Sequence, residues 1–283
     1  MLSIFFASLE QSLIFLPLVL GMYISYRILS ITDLTVDGTY VLGAAVFAQT
    51  LEYGILMAIF CSVLAGSIVG VVVSYMQRNN IVNDLVAGVL ASFMLYSVNL
   101  QILGRPNISL LGKTTILSLI NMTDWIIPLL ILAIILIIIL TLFLSSGVGL
   151  ALRAFGQDQK LLCILGKSPE NYRILGLVLS NMLASLTGLV AAQVNGFADI
   201  NMGFGVALVG IGAVVIGRQL IIRVYGSFDA LKEIIACFVG IFLYFSCMSI
   251  LLRIGVNPIH LKLLLGIMLF FAMRKITYNG VRK

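Results

Sequence analysis

Leu152-Arg-Ala-Phe-Gly-Gln-Asp-Gln-Lys-Leu-Leu-Cys-Ile-Leu-Gly-Lys-Ser-Pro-Glu-Asn-Tyr172 is the stretch that sorts the chain into parts. It is polar and helix-prone, with glycines at Gly156 and Gly166. One long apolar run ends near Leu144 before it, and another begins near Ile174 after it. Apart from 104–123, the other connections between apolar runs are short, so this basic stretch reads as a loop held out to something else.

Outward from that loop the composition is that of a chain dissolved in lipid. Apolar residues make up 61% of the 283 and charged residues 10%, against about 45–50% and 25% in soluble domains. The expected class is an all-α, polytopic membrane protein forming one transmembrane domain over 1–283, with no separate soluble unit. The +6 net charge is distributed as a topology signal, and no nucleic-acid binding is expected. The start, MLSIFFASLEQ, lacks a basic leader pattern and reads as an interfacial lead-in.

About nine spans are expected, at 11–28, 37–52, 54–76, 83–103, 124–144, 173–195, 204–221, 230–252 and 257–273. Those at 37–52 and 204–221 are short and interrupted by glycine. Of the 17 basic residues, only Arg105, Lys113, Arg253 and Lys262 fall on one side of this arrangement. The excess marks the cytoplasmic face, which puts the N-terminus outside, the C-terminus inside and the 145–172 loop in the cytoplasm.

Asp33-Leu-Thr-Val-Asp-Gly-Thr-Tyr-Val-Leu-Gly43 and Asp199-Ile-Asn-Met-Gly-Phe-Gly-Val-Ala-Leu-Val-Gly210 open alike. Each leads into a short run and then a Tyr-Gly pair, Tyr53-Gly54 and Tyr225-Gly226. The expectation is an inverted repeat, 11–103 against 173–273, around a connecting span at 124–144. Short interrupted spans at matching positions point to a translocation path. Candidate path residues are Asp33, Asp37, Asn99, Asn181, Gln193, Asn195 and Asp199; interhelical hydrogen bonding is the alternative role for the amides. Gly66 with Gly70, and Ala184, Gly188, Ala192 and Gly196, are spaced for close helix packing.

Several chemistries are disfavoured. Gly112-Lys-Thr114 and Gly166-Lys-Ser168 look like the end of a nucleotide-binding loop, but Asn107 and Leu161 stand where the earlier glycine is needed. The cysteines are scattered and His260 is the one histidine, so no catalytic centre, metal site or cofactor is expected. Within the loop, 157–165 reads as a short helix whose apolar side is Leu161, Leu162, Ile164 and Leu165, stopped by Gly166 and followed by Pro169. Such a helix suits a groove on a partner protein, or else the surface of anionic lipid.

Leu152-Arg-Ala-x-Gly156 followed by Gly166 resembles the cytoplasmic coupling loop of ABC-importer permeases. Ser180-Asn-Met-Leu-Ala-Ser-Leu-Thr-Gly188, Gly196-Phe-Ala-Asp-Ile-Asn-Met-Gly203, Ile216-Gly217 and Tyr26-Arg27 with Asp33-Leu-Thr-Val-Asp37-Gly38 extend the match. Together they resemble the branched-chain amino acid and ribose type permease superfamily, nearest its tryptophan/tyrosine and uncharacterised branch. That resemblance implies a permease of the bacterial plasma membrane working as a homodimer, with two cytoplasmic ABC ATPase subunits and an extracytoplasmic solute-binding protein. It also implies a small amino acid, hydrophobic or aromatic, as solute. The ATPase contact would then involve Arg153, Gly156, Gln157, Asp158, Leu161, Leu162, Leu165, Gly166 and Pro169. Gly156→Pro or Leu161→Asp is expected to uncouple ATP hydrolysis from uptake with folding intact. The competing reading is an ion-coupled secondary transporter or channel built on the broken segments.

Overall fold

The computed structural model describes residues 2–78, 81–113, 116, 125–225 and 229–257, with a few positions between 260 and 270. Ten helices and one two-stranded ribbon account for nearly all of these. Helix α1 (Leu2–Met22) runs straight into a π-helical turn, Tyr23–Ile28. Then come α2 (Val36–Thr50), α3 (Ile55–Met76), α4 (Asp84–Leu103) and strand β1 (Asn107–Ser109). After α5 (Ile126–Ser145), two short helices, α6 (Gly147–Gln157) and α7 (Gln159–Ile164), occupy the loop. The chain continues through α8 (Pro169–Asn195), β2 (Phe197–Asp199), α9 (Val206–Tyr225) and α10 (Ala230–Arg253).

Among the described residues, six helical stretches are long and apolar enough to cross a membrane: Phe5–Ile28, α3, α4, α5, α8 and α10. Helix α2 and the apolar part of α9, Val206–Ile221, are shorter. The expected ninth span, 257–273, lies mostly outside the described residues. The first ten residues differ from expectation, because α1 is helical from Leu2 and continuous with the span rather than a separate lead-in.

Helix α8 is the most buried of the six and packs against α1, α2 and α3. Helix α5, almost wholly Ile and Leu, is the least buried, as suits a helix facing lipid chains. The glycines expected to interrupt the short helices do not. They bring backbones together instead: a Cβ on Gly43 of α2 would lie 2.1 Å from the Ser185 carbonyl oxygen of α8, and one on Gly217 of α9 would lie 1.8 Å from the Ala236 carbonyl oxygen of α10. The Gly66 and Gly70 pair seats α3 on Asn181 and Val178 of α8 in the same way.

Strands β1 and β2 pair antiparallel, Asn107 opposite Asp199 and Ser109 opposite Phe197. They tie the end of α4 to the end of α8. Helix α8 is 27 residues long, about 40 Å at 1.5 Å per residue, so the ribbon and the α6–α7 loop sit at opposite ends of the molecule.

Candidate functional site

Two regions hold the residues singled out in the sequence. The first lies where the non-helical segments before α2 and α9 meet the bundle. Asp33 is fully buried. One carboxylate oxygen accepts from the Thr35 backbone N–H at 2.9 Å and from the Thr35 hydroxyl; the other accepts from Asn181 Nδ2 at 2.8 Å. Asn181 also donates to the Leu177 carbonyl at 3.1 Å and accepts from Thr39 Oγ1 at 2.7 Å. Burial pushes the Asp33 carboxyl above its ordinary range, against the pull of the Thr35 and Asn181 hydrogen bonds.

Asp37, one turn further along, faces the start of α9. Its carboxylate accepts from the backbone N–H groups of Gly205, at 3.2 Å, and Ala207, at 2.6 Å. Gly205 immediately precedes α9 and Ala207 is in its first turn, where amides have no partner within the helix. The start of α2 therefore supplies the cap for the start of α9, and both aspartates are spent on joining elements. Asn99 Nδ2 donates to the Gly38 carbonyl at 3.0 Å, which fixes α4 to the same place.

The remaining candidates lie apart from this cluster. Gln193 is buried and accepts from the Ile116 N–H at 3.2 Å. Asn195 is exposed at the end of α8. Asp199 accepts from Asn107 Nδ2 at 2.9 Å across the ribbon. Asn99 Oδ1 and Gln193 Nε2 have no hydrogen-bond partner among the described residues. The structure thus brings together Asp33 and Asn181, with Asp37 and Asn99 close by on α2 and α4, and leaves Gln193, Asn195 and Asp199 towards the ribbon end.

The second region is the loop. Ser146 and Asp158 start α6 and α7, each accepting a backbone N–H with its side chain. Gly166, at φ +70°, ends the motif, and Lys167 N–H reaches back to the Leu162 carbonyl at 2.9 Å. Pro169 occupies the first turn of α8, where a missing N–H does no harm. Helix α6 was not foreseen. Of the four apolar residues of the expected helix, Leu162 alone is buried; Leu161, Ile164 and Leu165 face outward, Ile164 at 80% exposure. Arg153 and Gly156 are half-buried, and Gln157 and Asp158 are exposed.

Gly156 is in close contact with the turn after α1. A Cβ there would lie 1.8 Å from the Ile28 carbonyl oxygen, so Gly156→Pro would disturb packing as well as any coupling. Arg173, counted in the sequence as a topology charge, has a structural role. It is buried, donates to the Gln77 carbonyl at 2.5 Å, pairs with Glu170 at 3.6 Å and lies 5.8 Å from the Phe155 ring centroid. It joins α3, α6 and α8 beside a cleft of about 320 Å3 that Ser30, Asp84, Gln157 and Asp158 also line. The signal for it in the sequence is the i,i+3 spacing from Glu170 at a helix start.

Apolar helices enclosing a small set of mostly hydrogen-bonded polar groups, with a separate outward-facing loop, are the build of a polytopic membrane protein. Residues 4–273 match the family described as branched-chain amino acid transport system, permease component, and the chain belongs to that family. An uncharacterised protein of Rickettsia prowazekii is 59% identical over 275 residues, covering 97% of this chain and 98% of its own. A tyrosine transport system permease protein of Clostridioides difficile is 35% identical over 267 residues, 92% of this chain and 87% of its own. No solved structure matches the chain. The protein is a multi-pass bacterial membrane permease component, and its family is one of transporter membrane subunits, not of catalysts.

Proposed function

We propose that the chain is the membrane subunit of an ATP-driven importer, working as two copies with two cytoplasmic ATPase subunits. A binding protein outside the cell delivers the solute, an aromatic or hydrophobic amino acid. The class rests on the permease family. The aromatic choice is supported by the tyrosine permease relative, which is similar over 92% of the chain. The ATPase contact rests on one structural observation: α7 turns Leu161, Ile164 and Leu165 outward while Leu162 holds it to the bundle. An apolar surface on a short helix at the loop end is suited to a groove in a partner.

ATP binding and hydrolysis take place in that partner, and closure of the ATPase pair moves α6 and α7. Inverted repeats about α5 would let the two halves rock. The hydrogen-bonded aspartates Asp33 and Asp37 hold the short helices in register, and the path runs past Asn99 and Gln193, whose amides keep unused atoms. Gentle polarity of this kind lets a zwitterion pass without binding tightly.

The test is uptake of radiolabelled tyrosine, phenylalanine and leucine into vesicles holding the permease, ATPase and binding protein. Uptake that needs ATP and the binding protein, and that Leu161→Asp abolishes while ATP hydrolysis continues, is the expected result. Uptake driven by an ion gradient without the ATPase would overturn the proposal in favour of a secondary carrier.

A further inference from the structure

The turn between α1 and α2 has an unusual backbone. Residues Tyr23–Ile28 are π-helical, a form that is rare and is met mostly as single turns at functional places. Leu29 N–H bonds to the Ile24 carbonyl at 3.0 Å and Ile31 N–H to the Ser25 carbonyl at 2.9 Å. Ser30 follows at φ +60°, the one described non-glycine residue with a positive φ. A side-chain-bearing residue held there is strained unless its surroundings impose it.

Both ends of this turn are fixed to other elements. At its start the Tyr23 hydroxyl donates to Glu233 of α10. At its end the Ile28 carbonyl sits against Gly156 of α6, and Ser30 Oγ donates to the Gly156 carbonyl at 3.2 Å. Immediately beyond lie Asp33 and Asp37, which fasten α2 to α8 and α9. The path from the loop to α2 is therefore short and made of direct contacts: Gly156, Ile28–Ser30, then α2.

We propose that the π-helical turn Tyr23–Ile28 is the joint that carries movement of the loop to α2, with Gly156 against Ile28 and Ser30 as its contact. A π turn holds one residue more than an α-helix needs. Conversion to α-helix would push the following segment forward by about 1.5 Å and turn it by about 100°. Such a step displaces Asp33 and Asp37 together, without breaking α1 or α2. The inference rests on the reading of α6–α7 as the ATPase contact.

The experiment uses the permease assembled with its ATPase in lipid nanodiscs. Hydrogen exchange of peptides covering 23–31 is compared between the nucleotide-free complex and one trapped with ATP and vanadate, with Ile55–Met76 as an internal control. Exchange that changes at 23–31 and not in the control is expected. Deleting Arg27, whose side chain is exposed, should close the turn to α-helix. That variant should keep ATP hydrolysis and lose at least ten-fold in uptake. Identical exchange in the two states would overturn the joint, as would normal uptake by the deletion; if the deletion fails to assemble, the exchange comparison decides alone. Ile164→Asp separates the two readings. If it uncouples while the deletion transports normally, the joint is wrong and the ATPase contact stands; if both transport normally, the ATPase contact itself falls.

Discussion

The carboxylate of Asp37 accepts a hydrogen bond from the backbone N–H of Ala207 at 2.6 Å, so a residue in the first turn of α2 closes the open end of α9. A carboxylate at a helix start satisfies free amides and also faces the positive end of the helix dipole. Asp37→Ala should lower stability by about 1–2 kcal/mol, the usual loss on removing a cap, and Asp37→Asn by less because one acceptor survives. Thermal unfolding in detergent should rank the three proteins in that order; equal melting temperatures for wild type and Asp37→Ala would show that the cap is not maintained.

Asn181 joins Asp33 to Thr39 inside the bundle. Asn181→Leu leaves the Asp33 carboxylate and the Thr39 hydroxyl without that partner, and each orphaned buried group costs about 1–3 kcal/mol. Asp33→Asn should be milder, because burial already favours the uncharged acid and the amide keeps its shape. A double-mutant cycle on melting temperature checks this: the two changes should be clearly non-additive, and additive effects would argue against a shared network.

Close packing of α8 on α2 predicts an asymmetry among glycines. Gly188→Ala puts a methyl group 1.9 Å from the Tyr40 carbonyl oxygen, and relief of such overpacking typically costs about 1–3 kcal/mol. Gly147→Ala meets nothing within 4 Å and sits in the first turn of α6, so it should be neutral or slightly stabilising. The same thermal assay distinguishes them, and similar melting temperatures for both variants would count against the α2–α8 contact.

The architecture was legible where lipid leaves the chain few choices. Long apolar runs must be helical, and α3, α4, α5, α8 and α10 fall where the runs lie. Small residues at helical spacing marked contact faces, and Gly66, Gly70 and Gly188 do lie on them. What the runs do not encode is which polar group meets which. Thr39 looked unremarkable because a threonine in a helix can bond its own backbone; its importance comes from Asn181, far away in sequence. The π turn left no mark, since Tyr-Ile-Ser-Tyr-Arg-Ile has the composition of an ordinary helix end. Arg173 was read by its charge alone, and its contacts with Gln77 and Phe155 come from how the helices cross. The last expected span, at 257–273, lies mostly beyond the described residues.

Leu162 and Ile164 are two residues apart on α7 and face opposite ways, at 1% and 80% exposure. That contrast separates a structural role from a docking role on one short helix. Ile164→Asp removes no buried surface, so melting of the isolated permease should stay within about 0.5 kcal/mol of wild type. An acidic group in the middle of an apolar contact should nonetheless weaken ATPase association by at least ten-fold, about 1.4 kcal/mol. Leu162→Ala should do the reverse, costing about 2–5 kcal/mol of permease stability before any effect on association. Binding of the purified ATPase to permease in nanodiscs, measured beside thermal unfolding of the permease alone, gives both readings. If Ile164→Asp binds the ATPase as wild type does, the outward face of α7 is not the contact, and anionic lipid becomes the better occupant.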